Sequence, residues 1–324
     1  MTAPAAKRVL LAGATGTIGQ AVARALVVQG HDVVCLVRQR EELEFLLPGV
    51  ALRFGDVTDQ ASIARDGFKD ERFDAVISCL ASRTGAPKDA WAIDYQANLN
   101  LLTVAKDNDV PHFVLLSAIC LQKPLLAFQH AKLAFEEALI NSGLTYSIVR
   151  PTAFLKSLSG QLDRVRAGKP FLVFGDGNLT ACKPISDNDL ADFITGCLHD
   201  PARQNTVLPI GGPGEALTPL DQGNALFAAI GKEPRIKHVP LAIISTIIAV
   251  LSALGKVVPS LAEKAELARI GRYYATESML VWDAESGIYD ADATPSHGTE
   301  TLASFYGKLA RGEATIERDD HAVF

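Results

Sequence analysis

The chain has 324 residues, 48% hydrophobic and 21% charged, which can bury a sizeable core and is more than one ordinary domain usually holds. Its formal net charge of -6 excludes a general nucleic-acid binder. The five cysteines, Cys35, Cys79, Cys120, Cys182 and Cys197, form no CxxC pair, so no iron–sulfur cluster, structural zinc or other metal is expected, and a reducing compartment fits.

In chain order, β-branched apolar runs at Arg8–Ala12, Asp32–Val37, Ala51–Phe54, Asp74–Cys79, His112–Leu116 and Thr145–Val149 predict strands buried on both faces. Amphipathic stretches such as Ile18–Gln29 and Trp91–Asn108 predict helices between them. The βαβα rhythm predicts an α/β fold, with a doubly wound parallel Rossmann sheet over residues 1–155. After Pro151 the rhythm loosens, and residues 156–324 are expected to form a smaller, mainly helical substrate-binding portion. Helices are predicted at Pro219–Ile230 and Leu261–Ile270, and Val207–Ile210 could return a strand to the sheet. The uncharged stretch Val239–Gly255 falls short of the roughly 20 residues that span a bilayer. It reads as a buried core helix, or else as the greasy wall of a pocket or a surface resting on a membrane. The apolar run Val9–Ala12 is too short for a signal peptide, so a cytoplasmic protein is expected, with at most peripheral membrane contact. The oligomeric state is not legible.

The turn after the first strand reads Gly13-Ala14-Thr15-Gly16-Thr17-Ile18-Gly19 and opens a predicted helix. Glycines there permit a tight turn and let a pyrophosphate approach the backbone at a helix N-terminus, so Gly13, Thr15, Gly16, Thr17, Ile18 and Gly19 are assigned to a dinucleotide. The GxxGxxG spacing resembles extended and atypical short-chain dehydrogenases. Where an NAD site usually carries an acid for the ribose hydroxyl, the second strand ends in Arg38, with Arg40 close behind. A guanidinium forks onto a 2′-phosphate, so NADP(H) is preferred. By the same resemblance Asp56 and Val57 contact the adenine, and Leu80, Ala81 and Ser82 line the cofactor cleft.

Ser117 closes the fifth strand, where that superfamily places a catalytic Ser or Thr. The following helix should carry Tyr-x-x-x-Lys. It reads Phe128-Gln129-His130-Ala131-Lys132, with the lysine present and the tyrosine replaced. Phenylalanine has no exchangeable proton, so ordinary alcohol–ketone chemistry by the standard route is not expected. Lys132 can still hold the nicotinamide ribose and steer or supply a proton. The turn Arg150-Pro151-Thr152-Ala153-Phe154 is typical of the extended and atypical enzymes, and Pro151, Thr152 and Phe154 would meet the nicotinamide. The lone histidines His130, His238 and His297 read as structural or solvent-facing.

Long strings then resemble one family, the NADPH-dependent divinyl chlorophyllide 8-vinyl reductases of phototrophs. They include HFVLLSAICLQKPLLAFQHAKLAFE (His112–Glu136), YSIVRPTAFLKSLSGQ (Tyr146–Gln161), FGDGNLTACKPIS (Phe174–Ser186) and IGRYYATESMLV (Ile270–Val281). Phe128 agrees with that family. The resemblance implies reduction of the C8 vinyl group of 3,8-divinyl chlorophyllide or protochlorophyllide to ethyl by NADPH. Hydride would reach the terminal carbon and a proton the inner one, from Lys132, Tyr273, Tyr274 or water. Lys156, Lys183 and Arg272 are candidates for the pigment's carboxylate. Two other readings stand beside it: an NADP(H)-binding sensor or pigment-protein assembly factor without turnover, and a reductase of another conjugated double bond.

Overall fold

The computed structural model describes residues 5–40 and 43–315. The six apolar runs form β1 (Arg8–Ala12), β2 (Asp32–Val37), β3 (Ala51–Phe54), β4 (Ala75–Ser78), β5 (His112–Leu116) and β6 (Thr145–Pro151). Between them lie α1 (Thr17–Val28), α2 (Asn98–Asp107) and α3 (Ala127–Ile140). The second half holds β7 (Phe171–Phe174), α4 (Asp187–Gly196), β8 (Thr206–Ile210), α5 (Pro219–Ala229) and β9 (Ile236–Val239). It continues with α6 (Leu241–Gly255), α7 (Pro259–Thr276), β10 (Val281–Asp283), β11 (Ile288–Asp290) and α8 (Leu302–Arg311).

One parallel sheet runs β3-β2-β1-β4-β5-β6-β8. Successive side chains of a strand face opposite sides, and both sides are buried here. Val9, Leu11, Val33 and Cys35 pack toward Ala21, Val22 and Leu26 of α1 and Leu190 and Ile194 of α4. Leu10, Val34 and Val76 pack toward Leu101 of α2 and Phe135 and Leu139 of α3. That two-sided burial is why the strands read as unalternated apolar runs. The order reverses between β1 and β4, which opens a crevice at the carboxyl ends of the strands. β8 pairs with β6 and returns the second half of the chain to the sheet.

Two further cores build the wall over that crevice. Leu162, Val165, Phe171, Val173, Phe227 and Tyr306 gather the parallel pair β7–β9 with α5 and α8. Phe128 and Ala131 of α3 pack with Ile270 and Tyr273 of α7. The uncharged stretch is not the buried core helix expected of it, since no residue of α6 is buried. Ile243, Ile247, Val250 and Leu254, on one face at helical spacing, are each about half exposed. High mean hydropathy predicts a helix that seeks an apolar neighbour, but not that the neighbour lies within the same chain. The helix packs on α7, where Gly255 lets the backbones meet: a Cβ there would stand 2.8 Å from the Ala262 nitrogen. Among the described residues no helix is long and apolar enough to cross a membrane.

Candidate active site

The glycine turn is backbone packed on backbone. Gly13 takes φ +78°, and a Cβ there would stand 2.5 Å from the Cys79 carbonyl. A Cβ at Gly19 would stand 2.1 Å from the Gly13 oxygen. At Gly16 the nearest protein atom would be 3.7 Å away, so the chain itself does not require glycine there, and the bare backbone leaves room for a ligand to approach. α1 has Gly16 as its N-cap, with no capping side chain and no acid in its first turn, which suits an anion at its positive end. Gly16, Thr17, Ile18 and Gly19 line one large cavity, so this cradle fits a dinucleotide pyrophosphate. Gly13 and Thr15 form the turn beneath.

β2 and β3 run parallel to β1, so Arg38, Arg40, Asp56 and Val57 emerge at the same sheet edge, outside the cavity lining. Both arginines are exposed. The Thr58 backbone N–H and hydroxyl donate to Asp56 at 2.8 and 2.7 Å and hold its carboxyl below the usual range, with a smaller contribution from the Arg38 charge. Val57 is held through its carbonyl by the Asn100 amide at 3.3 Å.

Phe128, Lys132 and Glu136 recur every fourth residue on one face of α3. Phe128 and Lys132 line the cavity, and Lys132 Nζ stands 2.9 Å from Asp94 Oδ1. Glu136 is buried and takes the Arg150 guanidinium and the Ser117 hydroxyl. Ser117 lines the cavity with its hydroxyl already committed as a hydrogen-bond donor to Glu136. The resulting strap ties the ends of β5 and β6 to α3. Beside it Pro151, Thr152 and Phe154 line the cavity, with Thr152 fixed by its N–H to the Ile210 carbonyl at 2.9 Å and by its hydroxyl to that of Lys183.

The cavity measures about 980 Å³ and reaches from the glycine turn past Leu80, Ala81 and Ser82 to α7. Leu267, Ile270 and Tyr274 form the lining face of α7. Tyr274 is desolvated there, with Cys120 beside it, and its phenol is raised well above its ordinary value. Lys156 also lines the cavity, 2.7 Å from Asp187.

Three residues expected at the substrate lie elsewhere. Lys183 sends its Nζ to the Thr294 carbonyl at 3.1 Å, away from the cavity lining. Arg272 is exposed because it sits about 160° around α7 from Tyr274's lining face. Tyr273 is buried, its hydroxyl 2.8 and 3.1 Å from the Cys120 and Lys123 carbonyls, and clamps α7 to the loop before α3. Conversely, Asp94, Glu136 and Asp187 were not singled out from the sequence. An acid in an amphipathic helix reads as a solvated charge, and only its burial marks it. Among the described residues no group of three or more His, Cys, Asp or Glu could hold a metal.

Residues 13–201 match the NAD(P)H-binding family. A chain from Oryza sativa subsp. indica, named divinyl chlorophyllide a 8-vinyl-reductase, chloroplastic, is 47% identical over 99% of this chain and 83% of its own. Photosystem II assembly factor Ycf39 of Synechocystis sp. is 27% identical over 73% of this chain and 72% of its own. Among solved structures, leucoanthocyanidin reductase from Vitis vinifera, in binary complex with NADPH, superposes with a TM-score of 0.69 at 17% identity, covering 94% of this chain and 99% of that one. That likeness shows the fold alone. The near-full-length identity shows more: the chain belongs to the divinyl chlorophyllide a 8-vinyl-reductase family.

Proposed function

We propose that this protein reduces the C8 vinyl group of a 3,8-divinyl chlorophyllide or protochlorophyllide to ethyl, with NADPH as reductant. In a chain of this family, the observation that carries the reading is a retained Lys132 beside Phe128 in one large, mainly apolar cavity. Bound on the glycine turn, NADPH supplies the hydride. A vinyl group has no oxygen to protonate, so the site has no use for a phenol at Phe128. The proton that completes the ethyl group is assigned to Lys132, whose Nζ stays in the cavity beside Asp94. Tyr273 does not line the cavity, and its hydroxyl is committed to backbone carbonyls. Tyr274 lines it, but burial raises its phenol and so makes it a weaker acid than an ordinary tyrosine.

Gly13, Thr15, Gly16, Thr17, Ile18 and Gly19 are assigned to the pyrophosphate, Arg38 and Arg40 to the 2′-phosphate, and Asp56 and Val57 to the adenine. Leu80, Ala81, Ser82, Pro151, Thr152 and Phe154 are assigned to the nicotinamide end. Ser117 acts through Glu136 by fixing the strap. Lys156 is assigned to the pigment's carboxylate, which then shares the ammonium with Asp187. The apolar stripe on α6 is assigned to the surface of a membrane in which pigment precursors collect.

Purified protein mixed with divinyl chlorophyllide tests this. A monovinyl product formed with NADPH and not with NADH is expected. Pigment bound without product would replace the reading with the assembly-factor or sensor one. Neither binding nor product would point to another conjugated substrate.

A further inference from the structure

The side chain of Asp94 has no exposed surface, and that of Lys132 keeps 12%. Asp94 Oδ1 accepts from Lys132 Nζ at 2.9 Å and from the Ser82 backbone N–H at 3.2 Å. Among the described residues Oδ2 has no hydrogen-bond partner. A buried carboxylate with an idle oxygen is costly, and for stability alone an apolar pair of similar volume often serves as well.

The backbone that delivers Asp94 is also irregular. Trp91–Ala97 winds as a π-helix between the short helix Pro87–Ala90 and α2. Such turns shift the hydrogen-bond register, leave carbonyls short of partners, and occur frequently at functional sites. Here the Asn98 amide donates to the Ile93 and Asp94 carbonyls, both at 3.2 Å. Its own oxygen accepts from Ser78 Oγ at 2.5 Å. The last residue of β4 thus holds the turn, and the turn holds Asp94.

We infer that Asp94 is a positioning residue for Lys132, fixing the ammonium and the cofactor-lining loop at Ser82 to one carboxylate. The phenol that would neighbour this lysine is absent, since Phe128 stands there. Among the described residues Asp94 is the carboxylate that forms an ion pair with Lys132. A substrate atom that needs a proton at a defined place needs the donor held from behind, and Asp94 does that.

The kinetic arm of the test rests on the proposed reductase activity, and the labelling arm does not. In Asp94→Asn, kcat for vinyl reduction is expected to fall about 100-fold, the scale of a misplaced general acid. NADPH affinity, read by fluorescence titration, should change far less. In cofactor-free protein, an amine-directed reagent followed by peptide mass spectrometry should modify Lys132 several-fold faster in the variant than in the parent. Ser78→Ala, which loosens the turn without touching either charge, should show the same signature in smaller measure and stands in if Asp94→Asn does not fold. Unchanged kcat with unchanged Lys132 labelling, in whichever variant folds, would overturn the inference. A parent that fails to reduce the pigment would instead remove the proposed reaction, and the labelling would still decide the matter of Asp94.

Discussion

The two ends of the cavity are made differently. The end assigned to the nucleotide is backbone against backbone, with Gly13 against Cys79, Gly19 against Gly13, and strand ends that share one edge. The end assigned to the substrate is side chain against side chain, where Phe128 of α3 packs with Ile270 of α7 more than a hundred residues away. A backbone-built site is written in consecutive residues, since only glycine tolerates the approach. A site of side chains depends on which face each helix turns inward, and that is settled by packing at a distance.

Substitutions can sharpen that contrast, beginning with the largest effect. Gly19→Val should unfold the turn and abolish NADPH binding together, because its Cβ meets a backbone oxygen at 2.1 Å. Gly16→Val should cost only about 1 kcal/mol of stability, the scale of a poorer helix cap, yet weaken NADPH binding by roughly ten-fold or more by filling the ligand's side of the turn. Equal loss of stability in the two variants would erase the distinction. Lys132→Met should lower kcat by about 100-fold. It should also cost about 3–5 kcal/mol in denaturant unfolding, because it strands the buried Asp94 charge. A variant as stable as the parent would mean that the carboxylate is not paired in solution.

Arg38→Ala comes next. Removing a charge-assisted hydrogen bond of about 1.5–3 kcal/mol should raise KM for NADPH by roughly ten- to a hundred-fold and leave that for NADH nearly unchanged. Parallel changes for both cofactors would take the 2′-phosphate away from Arg38. Ile247→Glu places a charge in the exposed stripe of α6. Binding to lipid vesicles should weaken while turnover of detergent-dispersed pigment is kept. Undiminished vesicle binding would reassign the stripe.

The smallest effect is set by pH. Burial first, and then the charge of Lys7, lower His112 to about 4, with its Nε2 3.0 Å from Ser147 Oγ. An unfolded histidine titrates near 6.5, so between about 4 and 6.5 the unfolded chain holds the extra proton. The stability due to a neutral His112 is therefore complete above that window and is lost as pH falls through it. His31 and His199, lowered mainly by burial, act in the same direction. His112→Gln should flatten the acid side of the curve of melting temperature against pH. An unaltered slope would show that His112 already titrates normally in the fold.

The contrast also explains what the sequence made legible. The strands and the glycine turn could be read because burial on both faces and a tight approach each leave a local signature. The stretch Trp91–Asn108 read as one helix, yet its first part is a π turn held by Ser78 and Asn98, a contact across 20 residues that periodicity does not reveal. For the same reason Asp94 draws no assignment from the sequence. Lys183 and Arg272 are cations of the right kind near the right strings, but one is drawn to the Thr294 carbonyl and the other lies on the outer side of α7. The composition of α6 announced an apolar surface without saying what covers it.

The absence of the phenol at Phe128 matches a conjugate reduction. It is tested most directly with NADPH deuterated at the transferred position, purified protein and divinyl chlorophyllide, followed by NMR of the pigment. A monovinyl product carrying one deuterium on the terminal carbon of the new C8 ethyl group is expected. Deuterium on the inner carbon, or no product at all, would contradict it.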